Sequence, residues 1–377
     1  MAAFPEFTHQ VIYSGGSSER TLCVAGDLNG DGRPEIMVGA RRPRCELYWI
    51  GRTEAGEWVS HMVDETCGPL EAGGTFMDVR GLGPCDFVAG HDYSGSGVFW
   101  WERPDDATRP WVRREIFTMP AGQSHDQLAA DLDGDGREEL YFWNQGSQTI
   151  FGAALPPDPT VSPWPTVRPI AQGVSGEGLA IADVDGDGRP ELIAGLSWYR
   201  PTKSGLWEGY EFATGYVSPR LAAVDLDGDG RTEIVVAEGD ASLFRREYGR
   251  LTLFRPGADV QRPWEPLTLH DSLLDPHTLA VADFNGDGRL DLMVAELGDP
   301  NGRHRWPPRV LIFRNLGGQF EPFVVSEGVS VHEGRVVAID GRMGIVGKPY
   351  QNVDRGGPSE RDPSADSVHL WVAVAGP

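Results

Sequence analysis

The chain has 377 residues, of which 40% are hydrophobic, and it carries a formal net charge of −23 at pH 7. This hydrophobic fraction supports a buried core and excludes a disordered chain, and so large an acidic excess argues against nucleic acid as a partner. The 49 glycines and 29 prolines are spread along the whole sequence, which is typical of many short strands joined by turns. We therefore expect an all-β protein.

The N-terminal segment, MAAFPEFTHQVIYSGG, has neither a basic start nor an apolar core, so no signal peptide is predicted. No stretch approaches the roughly 18 apolar residues of a membrane span. We expect no membrane association, and a cytoplasmic protein if the chain is complete. The four cysteines, Cys23, Cys45, Cys67 and Cys85, form no CxxC pair and therefore no zinc or redox motif. The sequence leaves open whether they pair as disulfides.

One nine-residue pattern, D-x-[DN]-G-D-G-R-x-[ED], recurs five times along the chain. The copies are Asp27–Glu35, Asp131–Glu139, Asp183–Glu191, Asp225–Glu233 and Asp283–Asp291. A degenerate copy, Asp78–Asp86 (DVRGLGPCD), keeps only the acids at its two ends, so that successive copies start 42 to 58 residues apart. A seventh unit begins at His332, 55 residues after the matching His277, with its loop shortened to IDGRMG. This regular spacing indicates a repeat architecture.

Each copy lies between two short apolar runs, such as LAIAD before DVDGDGRPE and LIAG after it, which predicts a hairpin. A third run and a fourth run follow in most units, and four antiparallel strands per unit form a propeller blade. We therefore predict a seven-bladed β-propeller, all-β, as a single domain over residues 1–377.

The two chain ends support this architecture. The chain finishes with HLWVAV, which matches a third strand, and it begins with FTHQVIY, which matches a fourth strand without a blade of its own. We expect the N-terminal strand to complete the seventh blade, which would pair two otherwise bare sheet edges. The alternative, an open array of hairpins, would leave those edges exposed.

Positions 1, 3, 5 and 9 of the nine-residue pattern offer oxygen ligands that can converge on one hard cation, with glycine permitting the sharp turn. Oxygen-only ligands favour calcium over zinc or copper, and we expect the ions to stabilise the fold rather than to regulate it. The predicted ligands are Asp27, Asn29, Asp31, Glu35, Asp131, Asp133, Asp135, Glu139, Asp183, Asp185, Asp187, Glu191, Asp225, Asp227, Asp229, Glu233, Asp283, Asn285, Asp287 and Asp291.

The starts of the first strands and the ends of the second strands should share the face opposite the calcium loops, around a central channel. Histidine recurs at the first-strand starts, and histidine is the side chain most easily poised for proton transfer. The candidate catalytic residues on this face are His125, His277, His332, His91, Arg220, Lys348, Tyr350 and Glu177. The competing interpretation is that each histidine only hydrogen-bonds its own strand. A further divalent metal held by His125, His277 and His332 could replace the positive charge of Arg220 and Lys348.

The D-x-D-G-D-G loops resemble the FG-GAP and VCBS repeats of integrin-α-like propellers. A narrower resemblance comes from HDQLAADLDGDG, SGEGLAIADVDGDG, DPHTLAVADFNGDG and SVHEGRVVAIDG with GKPY. These segments are similar to the propellers of rhamnose–glucuronate lyases and aldos-2-ulose dehydratases. The resemblance implies a carbon–oxygen lyase acting on a uronate-containing saccharide or keto-sugar.

Two alternatives stay open at the level of sequence. One is a non-catalytic propeller that binds a glycan or a protein, and the other is a cyclase or isomerase of small-molecule biosynthesis. In each enzymatic case the expected partner is a small saccharide or another small molecule, and we expect a monomer.

Overall fold

The computed structural model describes residues 4–17, 19–83, 86–202, 205–298, 306–349 and 366–374. Every regular element in these ranges is a β-strand, and the strands form seven four-stranded antiparallel sheets, called blades below. No helix in this part of the chain is long and apolar enough to cross a membrane. By contact density the chain divides into two compact units. The first unit comprises Gly15–Leu179 and Tyr199–Gly209, and the second unit comprises Met1–Ser14, Ala180–Trp198 and Tyr210–Pro377.

The chain begins with a strand of the second unit, β1 (Phe7–Ser14), and then forms the three blades of the first unit. The strands of blade one are β2 (Glu19–Gly26), β3 (Glu35–Arg42), β4 (Glu46–Arg52) and β5 (Trp58–Asp64). Those of blade two are β6 (Thr75–Met77), β7 (Asp86–Gly90), β8 (Gly97–Glu102) and β9 (Val112–Thr118). Those of blade three are β10 (Ser124–Ala130), β11 (Glu139–Asn144), β12 (Thr149–Ala153) and β13 (Arg168–Gln172).

Blade four contains residues of both units, with strands β14 (Leu179–Ala182), β15 (Glu191–Ala194), β16 (Ser197–Pro201) and β17 (Trp207–Glu211). The remaining blades belong to the second unit. The strands of blade five are β18 (Pro219–Val224), β19 (Glu233–Glu238), β20 (Gly249–Arg255) and β21 (Glu265–Leu273). Those of blade six are β22 (Pro276–Ala282), β23 (Asp291–Glu296), β24 (Arg309–Asn315) and β25 (Phe320–Glu327). Blade seven contains β26 (Glu333–Ile339), β27 (Arg342–Lys348) and β28 (Ser367–Ala373).

The core of the first unit lies between neighbouring blades. Strand β3 (EIMVGARR) and strand β4 (ELYWIGR) are buried along most of their length, because blade two packs against blade one, whereas the outer strand β5 is largely exposed or half-buried. Leu22 and Met37 of blade one pack in one cluster with Phe87 and Trp101 of blade two. Each fully buried aromatic ring removes on the order of 150–250 Å² from water, so such pairs dominate the stability of the interface.

Strand β1 completes blade seven. It pairs antiparallel with β28, from Phe7 opposite Ala373 to Ser14 opposite Ser367, and the strand order of the sheet is β1-β28-β27-β26. The predicted all-β fold class of a seven-bladed propeller, with an N-terminal strand that closes the last blade, is therefore confirmed. Cys45 and Cys67 are free thiols, Cys23 is buried, and Cys85 lies outside the described residues.

Candidate functional site

The five intact nine-residue loops connect the first and second strands of their blades and share one hydrogen-bond pattern. In the loop of blade four, the amides of Gly186 and Gly188 donate to the two carboxylate oxygens of Asp183 at 2.8 and 2.9 Å. The ninth residue, Glu191, accepts from the amide of Val184 at 2.7 Å. Equivalent bonds occur in the loops that begin at Asp27, Asp131, Asp225 and Asp283. The first and last acids thus stabilise the loop by accepting hydrogen bonds from its backbone amides.

Glycine is required in these loops by backbone conformation rather than by space. Gly186 and Gly188 have φ angles of +75° and +87°, in the left-handed region that side chains disfavour. A Cβ added to either glycine would meet no heavy atom within 4 Å. The left-handed turns direct the amides of both glycines at the carboxylate of Asp183.

Acidic groups converge in three of the loops, within the part of the chain that the structure describes. In each set, one oxygen per residue lies within 4.8 Å of the others. The sets are Asp131, Asp133, Asp135 and Glu139; Asp183, Asp185 and Glu191; and Asp225, Asp227 and Asp229. Such clusters could hold metal ions. The remaining predicted ligands, Asp187, Glu233 and the residues of the loops at Asp27 and Asp283, occupy the same loop positions outside these sets.

Burial raises the pKa of the ninth acid in each intact loop. Burial, with a contribution from Asp185 and Asp187, raises the pKa of Glu191 to about 7. Burial raises the pKa of Glu35 to about 7 in the same way, with Asp31 and Asp27 adding to it. Burial and the neighbouring acids both disfavour the ionised form of this carboxyl. A hard cation bound by the cluster would neutralise the charges and so favour the ionised form. The donor set therefore fits calcium.

His125, the second residue of β10, is held between two carboxylates of the first unit. Its Nδ1 lies 2.9 Å from Oδ2 of Asp126, and its Nε2 lies 2.8 Å from Oε2 of Glu177. Burial alone would lower the pKa of His125, but the charges of Glu177 and Asp126 outweigh burial and hold this pKa well above its usual value. The ring is thus an imidazolium with both N–H groups committed. Two of the predicted residues, His125 and Glu177, are brought together here.

Asp126 owes its position to an irregularity in β10. The ladder with β11 shifts between His125 and Gln127, and Asp126 has a φ of +52°. This local turn brings its Oδ2 to the ring of His125 and also to the amide of Gly178, which donates at 2.7 Å. The sequence gives no signal for this bulge.

A buried acidic group next to His125 was not among the predicted site residues. Glu71 is almost wholly buried, and burial raises its pKa while Arg41 and His125 oppose the shift. Nη1 of Arg41 lies 3.3 Å from Glu71, and Nε of Arg41 lies 3.2 Å from Oε2 of Glu19. His91, in contrast, donates a hydrogen bond from Nε2 to the carbonyl oxygen of Cys67 at 3.0 Å, and the centroids of its ring and the Phe99 ring are 4.8 Å apart.

Two imidazoles and a lysine meet in the second unit. The rings of His277 and His332 stack with centroids 5.0 Å apart. Nζ of Lys348 lies 3.1 Å from Nδ1 of His332, and Lys348 is fully buried. Since an ammonium group can only donate, Nδ1 of His332 is the acceptor of this bond. The ladder between β26 and β27 sets this contact, because the amide of His332 also donates to the carbonyl of Lys348.

Arg220 and Asp240 complete this cluster. Nε of Arg220, the second residue of β18, donates to the carbonyl of His277 at 3.0 Å. Nε2 of His277 lies 3.3 Å from Oδ1 of Asp240, and its Nδ1 lies 3.2 Å from the carbonyl of Asp275, so both ring nitrogens face acceptors. Four predicted residues are therefore together, namely Arg220, His277, His332 and Lys348. Tyr350 lies outside the described residues.

Asp240 was missed in the sequence. It follows the last residue of β19 by two positions, where the ends of second strands were expected to reach the site, so this register was the signal that could have identified it.

Comparison with known protein families identifies the repeats of two segments of the chain. A model of the FG-GAP-like repeat matches residues 131–194 and 225–294. The chain contains FG-GAP-like repeats. The two matched segments include four of the five intact loops. No curated protein matches the chain.

The FG-GAP-like repeats and the candidate site overlap only in part. Glu177, Asp240 and His277 lie within the matched segments, whereas His332 and Lys348 lie outside them. The FG-GAP-like match therefore describes the blades and their loops, and the chemistry of the site must be argued from its own contacts.

Proposed function

We propose that the protein is a carbon–oxygen lyase that eliminates across a C–O bond of a uronate-containing saccharide or keto-sugar. The observation that carries the proposal is the buried contact between Lys348 and His332, with His277 stacked on His332. Elimination beside a carbonyl or carboxylate needs a base for the neighbouring C–H, positive charge for the developing enolate and an acid for the leaving oxygen. The cluster in the second unit offers a candidate for each role.

The Lys348–His332 pair is the proton acceptor in this proposal. As the C–H bond breaks and the C=C bond forms, Nζ of Lys348 passes a proton to the lone pair at Nδ1 of His332 and takes up the substrate proton in its place. Arg220, which is positively charged throughout, stabilises the enolate. His277, whose two nitrogens face Asp240 and the carbonyl of Asp275, donates a proton to the leaving oxygen as the C–O bond breaks.

His125 has a different role in this proposal. Both of its N–H groups are engaged by Asp126 and Glu177, and its raised pKa makes it a poor base. We therefore assign His125 and Glu177 to the stability of the first unit. This leaves the second unit as the site of the chemistry.

Calcium in the five intact loops is part of the same proposal. The clustered acids, the left-handed glycines and the raised pKa values of Glu35 and Glu191 support a bound hard cation. These ions would stabilise the blades, since each joins a first strand to a second strand.

Product formation tests the lyase proposal directly. The protein is incubated with glucuronate-capped oligosaccharides and, separately, with anhydro-keto-sugars, and the unsaturated product is followed by its ultraviolet absorbance. Product is expected from one of the two classes, and its formation should be lost in Lys348→Met and His332→Gln. His270→Gln, a change on the outer strand β21, is the matched control. Absence of product from both classes would overturn the proposal.

A glycan-binding propeller without catalysis is the second candidate, and a different observation favours it. The rings of Tyr248 and Trp306 stack at 5.9 Å with 12° between their planes. Trp306 is 42% exposed. Phe244, which precedes Tyr248 closely in the sequence, is 55% exposed. Exposed aromatic faces of this kind bind sugar rings. Glycan binding that persists in His277→Ala with His332→Ala, and that is lost in Trp306→Ala, would favour this candidate if no product forms.

A further inference from the structure

The degenerate loop of blade two differs from the intact loops at the positions that would hold a metal. Arg80 stands at position 3, where the intact loops have Asp or Asn, and Leu82 stands at position 5, where they have Asp. Only the end acids, Asp78 and Asp86, remain. The residues of this loop therefore do not fit calcium, because a guanidinium cannot act as a ligand and leucine has no oxygen in its side chain.

The guanidinium of Arg80 lies directly on the last acid of the loop. Its Nε is 2.9 Å from Oδ2 of Asp86, and its Nη2 is 2.8 Å from Oδ1, which makes the contact bidentate. Nη2 also donates to the carbonyl of Arg103 at 2.8 Å, and Nη1 lies 3.4 Å from Oε1 of Glu102. Bidentate pairs of this kind are among the strongest side-chain hydrogen bonds.

The backbone from Asp78 to Gly83 nevertheless shares two features with the intact loops. Gly81 and Gly83 have φ angles of +72° and +95°, as the paired glycines of the other loops do. The amide of Leu82 donates to Oδ1 of Asp78 at 2.7 Å, which matches the bond from Asp31 to Asp27 in blade one. From Asp78 to Gly83 the loop thus shares these backbone features with the intact loops, although its ligands have changed.

From these contacts we infer that Arg80 is the resident cation of the second loop and that this loop binds no metal ion. Asp86 is fully buried, and a buried carboxylate without a compensating charge is costly. In the intact loops a bound cation would meet this need, and here the chain supplies the positive charge itself. Blade two is therefore stable without calcium, and the number of bound calcium ions is at most one per intact loop.

Loss of the guanidinium tests the inference in the absence of metal. Arg80→Ala should lower the melting temperature by several degrees in buffer with a chelator, and added calcium should not restore the loss. The matched control is Arg33→Ala in blade one, which removes an exposed arginine paired with Asp31 and should change the melting temperature little. A melting temperature unchanged in Arg80→Ala would overturn the inference. Because the comparison is made in chelator, the result does not depend on calcium binding elsewhere.

Calcium stoichiometry provides the second test. Native mass spectrometry of Arg80→Asn with Leu82→Asp, which recreates the ligand pattern of the loop at Asp283, should show one more bound calcium ion than the wild type. A wild-type chain that already binds an ion at this loop, shown by loss of one ion in Asp78→Asn, would contradict the inference. Binding of no calcium by any loop would contradict the calcium proposal and leave the chelator experiment as the test of Arg80.

Discussion

Nε2 of His125 lies 2.8 Å from Oε2 of Glu177, and both side chains are almost wholly buried. Because the carboxylates of Glu177 and Asp126 hold the pKa of His125 well above its usual value, the folded state retains a proton that the unfolded state releases near pH 6.5. The stabilisation is therefore complete below about pH 6.5 and is lost as the pH rises through the raised pKa. We predict a melting temperature that falls on the alkaline side, measured by calorimetry from about pH 6 to about pH 10.

The variant His125→Gln separates this effect from general alkaline denaturation. It leaves the buried carboxylate of Glu177 and the half-buried carboxylate of Asp126 without their cation, so we expect a loss of about 3 kcal/mol at neutral pH and a flatter decline at alkaline pH. His270→Gln is the control, since burial lowers the pKa of His270 rather than raising it. An alkaline decline of equal slope in wild type and His125→Gln would contradict the assignment of the imidazolium.

A second prediction concerns the proton acceptor of the proposed reaction. Lys348→Met removes the group that lies 3.1 Å from Nδ1 of His332, and we expect kcat/KM to fall by about 10²- to 10⁴-fold, the usual contribution of a general base. The acidic limb of the pH–rate profile should move in the variant, because the ammonium group no longer influences the protonation of His332. Lys348→Arg keeps the charge and serves as the partner variant. Equal loss of activity and of folded protein in Lys348→Met would point to a structural role instead.

A third prediction separates backbone conformation from packing in the loops. Gly188→Ala places a side chain at a φ of +87° and should reduce the free energy of unfolding by roughly 1–2 kcal/mol. Gly257→Ala is the control, because a Cβ there also meets no atom within 4 Å and its φ lies outside the left-handed region. The measurement is urea denaturation of both variants. A similar effect in the two variants would show that conformation is not the cause.

The sequence predicted the elements whose geometry requires particular residue types at fixed positions. The loop at Asp183 could be recognised because its acids and glycines must recur at fixed positions, and the pairing of β1 with β28 followed from the count of strands. The outer strands β13 (RPIAQ) and β17 (WEGYE) gave no such signal, because they are short and mostly exposed or half-buried. Hydrophobic alternation is weak in strands of this kind.

The candidate site could be predicted only in part, for a physical reason. The register of the first strands indicated His125, His277 and Arg220, because these positions repeat with the blades. The partner of each side chain, in contrast, is set by contacts between blades and by local irregularities. The bulge that turns Asp126 onto His125 is an example, since it leaves no periodic pattern in the sequence.

The last prediction concerns calcium itself. If the intact loops bind calcium only in the folded state, each loop should stabilise the fold by about 2.7 kcal/mol when free calcium exceeds its dissociation constant 100-fold. We expect a chelator to lower the melting temperature substantially and Asp183→Asn to reduce the gain on adding calcium back. The control is Arg189→Gln, which changes position 7 of the same loop and removes no carboxylate. Equal melting temperatures in chelator and in calcium would contradict the assignment, because an ion that binds only the folded state must stabilise it.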